Sequence, residues 1–148
     1  MIETRLDKNF KIKGFFDEET STISYVVYDV TSKKCAVIDS VLDFDFSSGT
    51  IDYHNAEKII SFIEKMKLDL EWLIETHVHA DHLSASPYIQ KKLGGKIGIS
   101  EKISDIQNIF GKTFNAGTEF QRDGSQFDRL FKDNDEYKIG STKCKVIN

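Results

Sequence analysis

The sequence has no long apolar run, no CxxC pair, no low-complexity segment and only one proline in its 148 residues. Its first fourteen residues, MIETRLDKNFKIKG, contain no uninterrupted apolar stretch, which argues against a signal peptide and against a membrane-spanning helix. We therefore expect a cytoplasmic protein that has no membrane partner.

Clustered positive charge is also missing. The 20 lysines and arginines stand singly or in pairs, only three of them are arginine, and the formal net charge is −4. Proteins that follow a phosphate backbone need a basic patch or stripe. Nucleic acid is therefore not an expected partner.

Cysteine is scarce. Cys35 and Cys144 lie far apart in sequence, each inside an apolar, strand-like run, KKCAVID and TKCKVIN. In a cytoplasmic protein such residues are typically reduced thiols that pack like small apolar side chains. We predict two free thiols, and a disulfide between them stays open as the alternative.

The residues that are present have the composition of a globular protein, 39% hydrophobic and 30% charged. A chain of this length can bury about two-thirds of the surface that its unfolded state exposes. No internal repeat, linker or change of composition divides it. We predict one domain, or part of one.

The first elements are predicted to be a hairpin followed by a loop. TISYVVYDV (22–30) and CAVIDSV (35–41) are rich in β-branched and aromatic residues, which favours two antiparallel strands. The acidic and then small, polar segment DFDFSSGT (43–50) predicts a loop that interrupts the sheet.

A helix is predicted next. Between Asn55 and Leu68 the apolar residues recur at helical spacing, with charged residues between them, which indicates an amphipathic helix. Asp52 or Asn55 is a candidate cap for this helix. His54 is interpreted as a cap or an ordinary surface group.

The middle of the chain is predicted to be a strand and two helices. EWLIETH (71–77) is a strand that ends where the histidines begin, and SPYIQKKLGG (86–95) is a helix with Ser86 as N-cap and Pro87 at the first helical position. EKISDIQNIF predicts a short helix with one apolar side formed by Ile103, Ile106 and Phe110.

The remaining segments complete an α/β pattern. KIGIS (96–100) predicts a brief strand, and residues 111–128 show no clear period and support no assignment. DEYKIGSTKCKVIN (135–148) predicts two short strands joined by a turn at Gly140 and Ser141.

Three of the four histidines crowd into LIETHVHADHLSA (73–85), where His77, His79, Asp81 and His82 form HxHxDH. A chain that leaves a strand in extended form puts residues i and i+2 on one side, so His77 and His79 can converge on one ion. After a turn, Asp81 and His82 can face a second ion or support the first. Imidazole and carboxylate ligands suit zinc, iron or manganese better than calcium or magnesium.

The alternative to a metal site is an ordinary polar loop. Three imidazoles packed so closely repel one another when protonated, and they need donors and acceptors when neutral. A purely structural role is therefore hard to satisfy, and we predict metal binding. A bound metal lowers the pKa of its water towards neutrality, which provides a hydroxide nucleophile.

The HxHxDH segment, placed after an apolar strand and before a helix, resembles the signature of the metallo-β-lactamase fold. Longer segments, TISYVVYD, AVIDSVLDFD, ETHVHADHLSASPYIQKKLGGKIGI and DGSQFDRLF, are similar to the persulfide dioxygenase and glyoxalase II branch of that fold, particularly its bacterial dioxygenase-like members. The resemblance implies an α/β fold of the αββα sandwich type, with the metal at the edge between two sheets.

The resemblance also implies roles for the motif. In the hydrolase pattern, His77 and His79 bind a first metal, Asp81 and His82 bind a second, and Asp81 is the candidate catalytic residue. In the persulfide dioxygenase pattern, one iron is held by the histidine matching His77 and by two ligands further along the chain. The expected cofactor is one or two ions of Fe(II) or Zn(II), and the expected substrate is a small glutathione persulfide or glutathione thioester. Substrate-binding residues are not identified.

Members of this branch continue past the position of KCKVIN into a segment that carries another histidine, an aspartate and, in two-metal hydrolases, a last histidine. The resemblance thus implies that residues 1–148 are the N-terminal portion of a single domain, with one sheet and its covering helices.

Two hypotheses follow from the sequence. The first is a metal-dependent hydrolase or sulfur dioxygenase that acts on glutathione-linked sulfur. The second is a truncated, inactive relative that self-associates or needs a second half. In that case the strands at 22–30 and 34–39 expose an apolar face, which predicts a homo-oligomer or a domain-swapped dimer.

Two other activities of the same fold are disfavoured. A phosphodiesterase or ribonuclease binds phosphate groups through clustered lysine and arginine side chains, which this chain lacks. A true β-lactamase normally implies an exported protein with a signal peptide.

Overall fold

The structure of the protein, a computed structural model, describes residues 9–148 and has eleven strands and three helices in that range. The strands are β1 (Phe10–Asp17), β2 (Thr22–Asp29), β3 (Lys34–Ile38), β4 (Val41–Asp45), β5 (Thr50–Asp52), β6 (Asp69–Ile74), β7 (Leu83–Ser84), β8 (Lys96–Ser100), β9 (Arg129–Phe131), β10 (Glu136–Ile139) and β11 (Thr142–Lys145). The helices are α1 (His54–Lys65), α2 (Ser86–Leu93) and α3 (Ile103–Thr113).

Six strands form the main sheet, in the order β1-β2-β3-β6-β8-β9. β1, β2 and β3 are antiparallel neighbours, whereas β3, β6, β8 and β9 run parallel. Two small sheets, β10-β11 and β5-β4-β7, accompany it. The C-terminal ends of the parallel strands meet at one edge, which is where open α/β sheets place ligand sites.

One face of the main sheet carries the larger core. Successive strand residues point to opposite faces, so Val26, Val37 and Leu73 share this side. They pack against α1 and α2, whose inner residues include Ile59 and Ile89, and all five side chains are fully buried. This layer fixes the position of β6 and therefore of the loop that follows it.

The second face is covered by the β10–β11 hairpin. Ile139 packs against Val27 and Ala36, and the Trp72 Nε1–H donates to the Lys138 carbonyl at 3.0 Å. The hairpin covers the middle of the sheet. Further out on the same face, four large apolar side chains of β1 and β2 stay exposed: Ile12, Phe16, Ile23 and Tyr25.

Several sequence predictions are confirmed. The hairpin of β2 and β3, the amphipathic helix α1, the strand β6 before the histidines and the final hairpin are all present. Both cysteines are free thiols: Cys35 belongs to the core on the helix-covered face, and Cys144 packs on the opposite face. The alternative of a disulfide is therefore wrong.

The prediction of a loop at residues 43–50 holds only for the turn at 46–49 and is wrong at both ends, which belong to a hairpin of β4 and β5. The capping prediction for α1 also changes. No side chain of the helix start caps it, and Asp43 of β4 instead accepts the backbone N–H of Asn55 at 2.9 Å. His54 is exposed at the start of α1.

The second and third helices differ from prediction at single positions. Ser86 is the first residue of α2 and faces inward, with Ala85 before it as N-cap. In α3 the buried side contains Gln107, whose side chain hydrogen-bonds Gly124 and Gln126, and Phe110 is 47% exposed. Of the predicted apolar side, Ile103 is buried and Ile106 is half-buried, so the prediction fails only at Phe110.

The prediction that the N-terminal segment is neither a signal peptide nor a membrane-spanning helix falls mainly on residues 1–8, which lie outside the described residues. Among residues 9–148, no helix is both long and apolar enough to cross a membrane.

Candidate metal centre

The HxHxDH residues lie in the loop of residues 75–82, which we call the motif loop. It leaves the C-terminal end of β6 and returns into β7, which pairs with β4 through Val41 opposite Ser84. The Ala85 N–H donates to the Ser40 carbonyl at 3.0 Å, so the chain is anchored again just after β7. The loop is therefore held at both ends above the sheet edge.

The three imidazole rings of the motif loop lie in a row. Ring centroids are 4.3 Å apart for His77 and His79 and 4.2 Å apart for His79 and His82. The site contains two groups of potential ligand atoms, and within each group all atoms lie within 4.8 Å of one another. The first group is Asp39, His77 and His79, and the second is His79, Asp81 and His82. The structure thus brings all four predicted ligands together and adds Asp39.

His77 and His82 each have one ring nitrogen engaged by the protein. The Thr76 hydroxyl donates to Asp39 at 2.6 Å, so its oxygen is left to accept the His77 Nδ1–H at 2.8 Å. The His82 Nδ1–H donates to the Leu83 carbonyl at 2.9 Å. The other nitrogen of a neutral imidazole carries the free lone pair, so Nε2 is the available ligand atom in both rings.

His79 is turned the other way. Its Nε2 lies 3.1 Å from a carboxylate oxygen of Asp39 and 3.1 Å from one of Glu75. Hydrogen bonds to Asp39 and then Glu75 raise the pKa of His79 to about 10. Without an ion both ring nitrogens of His79 therefore carry a proton at neutral pH. The Nε2–H points inward, and Nδ1, which lies 3.9 Å from the Asp81 carboxylate, must release its proton to bind a metal.

This donor set fits a transition metal. An imidazole that binds a metal through one nitrogen commonly donates its other N–H to a carboxylate or a carbonyl, as His79 and His82 do here. The carboxylate of Asp81 is 49% exposed and unengaged by any strong hydrogen bond among the described residues, which leaves it available to an ion or a substrate. Zinc and iron both accept two or three such ligands.

Two residues of the site were missed by the sequence analysis. Asp39 follows β3, and β3 is the parallel neighbour of β6, so the two strands end side by side. Glu75 is 5% exposed and lies two residues before His77, the first histidine of the motif. Their only signal in the sequence was an acidic residue near the end of each of two predicted strands, CAVIDSV and EWLIETH.

A cavity of about 220 Å³ opens beside the second part of the motif loop. Its wall is mainly apolar, from residues Val41, Leu42, Phe44, Phe46 and Leu83, with acidic groups at Asp17, Glu19 and Asp43. His79, Asp81 and His82 also reach it. The cavity is the candidate substrate site that the sequence did not identify.

Comparison with known sequences gives one family. The sequence pattern of the Metallo-beta-lactamase superfamily matches residues 18–141. A probable metallo-hydrolase of Burkholderia pseudomallei is 46% identical over 137 residues, covering 93% of this chain and 47% of the relative. The chain spans about half or less of the length of the curated relatives it matches.

Two more distant relatives have names that state a chemistry. The mitochondrial persulfide dioxygenase ETHE1 of Bos taurus is 24% identical over 96 residues, covering 65% of this chain and 34% of the relative. Hydroxyacylglutathione hydrolase 1 of Vibrio vulnificus is 34% identical over 86 residues, covering 49% of this chain and 35% of the relative.

The fold is similar to a solved structure. ETHE1 from Myxococcus xanthus superposes with a TM-score of 0.63 at 20% identity, covering 90% of this chain and 45% of that one. At this identity the likeness concerns the fold alone. It agrees with the layered α/β architecture implied by the sequence.

Proposed function

The chain belongs to the metallo-beta-lactamase superfamily, and on that premise we propose that its motif loop forms part of a metal centre that acts on a small, glutathione-linked sulfur substrate. The superfamily relatives include a hydroxyacylglutathione hydrolase and a persulfide dioxygenase, which makes hydrolysis of a thioester and oxidation of a persulfide the two reactions to test.

One observation carries the proposal. Each of the three imidazoles has one nitrogen engaged by the protein, and neighbouring rings in the row have centroids no more than 4.3 Å apart, with His79 beside Asp81. Such a set is organised before any ion arrives, which reduces the cost of ordering ligands on binding. Fe(II) or Zn(II), as one or two ions, is the proposed cofactor.

We propose the following division of roles. His77 and His82 offer Nε2, His79 offers Nδ1, and Asp81 offers a carboxylate oxygen. A bound zinc or iron supplies Lewis acidity towards the substrate. In the hydrolase reaction Asp81 acts as the catalytic residue by accepting a proton from the attacking water, since its carboxylate is exposed beside the cavity.

The cavity next to the loop is proposed to take the part of the substrate that does not react. Its apolar wall, from β4 and the start of β7, suits a hydrocarbon or thioester arm better than a charged one. The acidic groups at its rim do not suit the carboxylates of glutathione. The peptide part of the substrate is therefore expected to lie outside this cavity.

Metal analysis tests the centre first. The full chain, purified after growth with zinc or iron, is expected to hold at least one ion by inductively coupled plasma mass spectrometry. His77→Ala should lose most of that ion. His54→Ala is the matched control, because His54 is an exposed histidine at the start of α1, and it should retain the ion. An ion-free wild-type chain would contradict the proposal.

Activity assays then separate the two reactions. Thiol release from a hydroxyacyl glutathione thioester supports the hydrolase, and oxygen uptake that requires glutathione persulfide supports the dioxygenase. Asp81→Asn should abolish the hydrolase reaction while leaving the fold intact, since Asp81 is half exposed. Absence of both reactions in a metal-loaded chain would reject a catalytic role.

A second candidate function is assembly. The four exposed apolar residues of β1 and β2 favour it, because a contiguous apolar strand face is typical of an interaction surface. We propose that this face binds another copy of the chain.

A further inference from the structure

Glu75 has an environment that a loop carboxylate rarely has. Its side chain is 4% exposed, and one of its oxygens accepts the hydroxyl groups of both Ser84 and Ser86. The other oxygen faces the His79 Nε2 at 3.1 Å. Among residues 9–148, the side-chain partners of Glu75 are His79 of the motif loop and the two serines that follow the loop.

These contacts connect three parts of the chain. Glu75 stands at the start of the motif loop, and its backbone N–H donates to the Gly98 carbonyl of β8 at 3.0 Å. Ser84 ends β7 and Ser86 begins α2, beyond the last ligand. One carboxylate therefore fixes the two ends of the loop relative to the imidazole in its middle.

The negative charge of the buried Glu75 carboxylate needs a positive partner, and only His79 or a metal bound to His79 can provide one among the described residues. A buried carboxylate is costly without a partner of opposite charge. Within residues 9–148, the ion pairs of the structure give Glu75 no lysine or arginine, and His79 is its one ionic partner. A carboxylate in this position orients the imidazole to which it is hydrogen-bonded.

We infer that Glu75 is a positioning residue of the metal centre: it holds His79 with Nε2–H directed inward and Nδ1 directed to the ion. The hydrogen bond also makes Nδ1 more basic and so a stronger ligand. This inference rests on the proposed metal centre. Asp39 faces the same nitrogen, but its two oxygens also accept the backbone N–H and the hydroxyl of Thr76.

Zinc affinity provides the test. The full chain is titrated with Zn(II) against a chelator of known affinity, well below the melting temperature, so that a change of global stability alone does not alter the result. Glu75→Gln preserves the shape and can still hydrogen-bond Ser84 and Ser86, but it removes the charge. We expect a loss of zinc affinity of about tenfold in this variant and about a hundredfold in Glu75→Met.

Asp29→Asn is the matched control. Asp29 is another buried carboxylate, 1% exposed, and it accepts hydrogen bonds from Thr31, Ser32 and Ser141, away from the motif loop. Its variant should bind zinc within about threefold of the wild type, since no ligand of the centre touches it. Melting temperatures of the ion-free variants measure the structural cost separately.

The outcomes are distinguishable. Wild-type-like zinc affinity in both Glu75 variants overturns the inference and leaves the metal centre standing. An equal loss in Asp29→Asn also overturns it, because the effect would then be general. If Glu75→Met does not fold, Glu75→Gln decides. A wild-type chain that binds no zinc rejects the proposed centre, and the inference falls with it.

Discussion

Cys35 of β3 is fully buried beneath α1, and this burial has a consequence for stability at high pH. Burial raises the pKa of the Cys35 thiol from its ordinary value of 9.0 to about 12. The folded protein therefore keeps this proton where the unfolded chain releases it. Its contribution to the free energy of unfolding is complete below pH 9 and is lost as the pH rises from 9 towards 12.

We expect Cys35→Ala to remove that part of the alkaline instability. The variant should be less stable than the wild type at pH 8 because of its cavity. The difference between their free energies of unfolding should decrease by about 2 kcal/mol by about pH 10.5. Urea unfolding at a series of pH values measures it. Ile63→Val is the control, since it removes a methyl group from the same core without removing a titrating group. Its difference from the wild type in free energy of unfolding should not change with pH. Parallel curves for Cys35→Ala would contradict the prediction.

The sequence predicted the four motif residues of the site but not their supports. Close spacing in HxHxDH was sufficient to identify His77, His79, Asp81 and His82 as a group. Asp39 lies 40 residues from His79, and it joins the site only because β3 and β6 are paired in parallel. No local pattern contains that pairing. Which imidazole nitrogen is free depends on the same long-range contacts.

Gly98 shows how closely β8 packs between its neighbours. A Cβ atom at this position would lie 2.5 Å from Cε2 of Phe131 in β9 and 3.4 Å from the Ile74 side chain in β6. The distance to Phe131 is well below normal contact, so any larger residue must displace the Phe131 ring. Since β8 also receives the Glu75 N–H, its position bears on the motif loop.

We expect Gly98→Ala to lower the free energy of unfolding by about 1–3 kcal/mol, the usual cost of overpacking a core. Phe131→Leu should be less harmful in the Gly98→Ala background than alone, because it relieves the same clash. Gly117→Ala is the control: a Cβ there meets nothing within 4 Å, and stability should change by less than about 0.5 kcal/mol. Thermal denaturation of the four variants measures these effects, and a Gly98→Ala chain that melts like the wild type would refute the clash.

Elements with a strong internal pattern were predicted, and elements held by distant partners were not. α1 has one apolar side along its whole length, and the structure places it at His54–Lys65, close to the predicted residues 55–68. β5, β7 and β9 have only two or three residues each and exist through pairing with β4 or β8. A strand that short has no period of its own to detect.

At the level of the whole chain, the two faces of the main sheet are covered unequally. α1 and α2 cover one face with a large buried core. The β10–β11 hairpin covers the other face with a small cluster that reaches only the middle strands. The exposed fractions on β1 and β2 are 52% for Ile12, 58% for Phe16, 43% for Ile23 and 38% for Tyr25. Four neighbouring apolar side chains with this exposure form an apolar strand face on β1 and β2. The sequence predicted such a face on the strands at 22–30 and 34–39, but β3 is covered on both sides, and β1 was not predicted as a strand.

The apolar strand face is expected to make the chain self-associate. β1 lies at the edge of the main sheet, and an apolar edge strand is a common site of contact between copies. Light scattering after size exclusion, over a wide range of concentration, should give a mass that rises above the 16.9 kDa of one chain. Phe16→Lys places a charge at the most exposed side chain of the face and should return the mass to that of the monomer.

Phe46→Lys separates this face from apolar exposure in general. Phe46 is 78% exposed beyond β4, on the cavity side of the molecule, and it is not part of the apolar strand face. Its replacement should leave association unchanged, because the contact between copies is assigned to β1 and β2. A wild-type chain that stays monomeric at every concentration would remove the assembly hypothesis. Equal effects of both substitutions would show that association is driven by exposed aromatic rings wherever they lie.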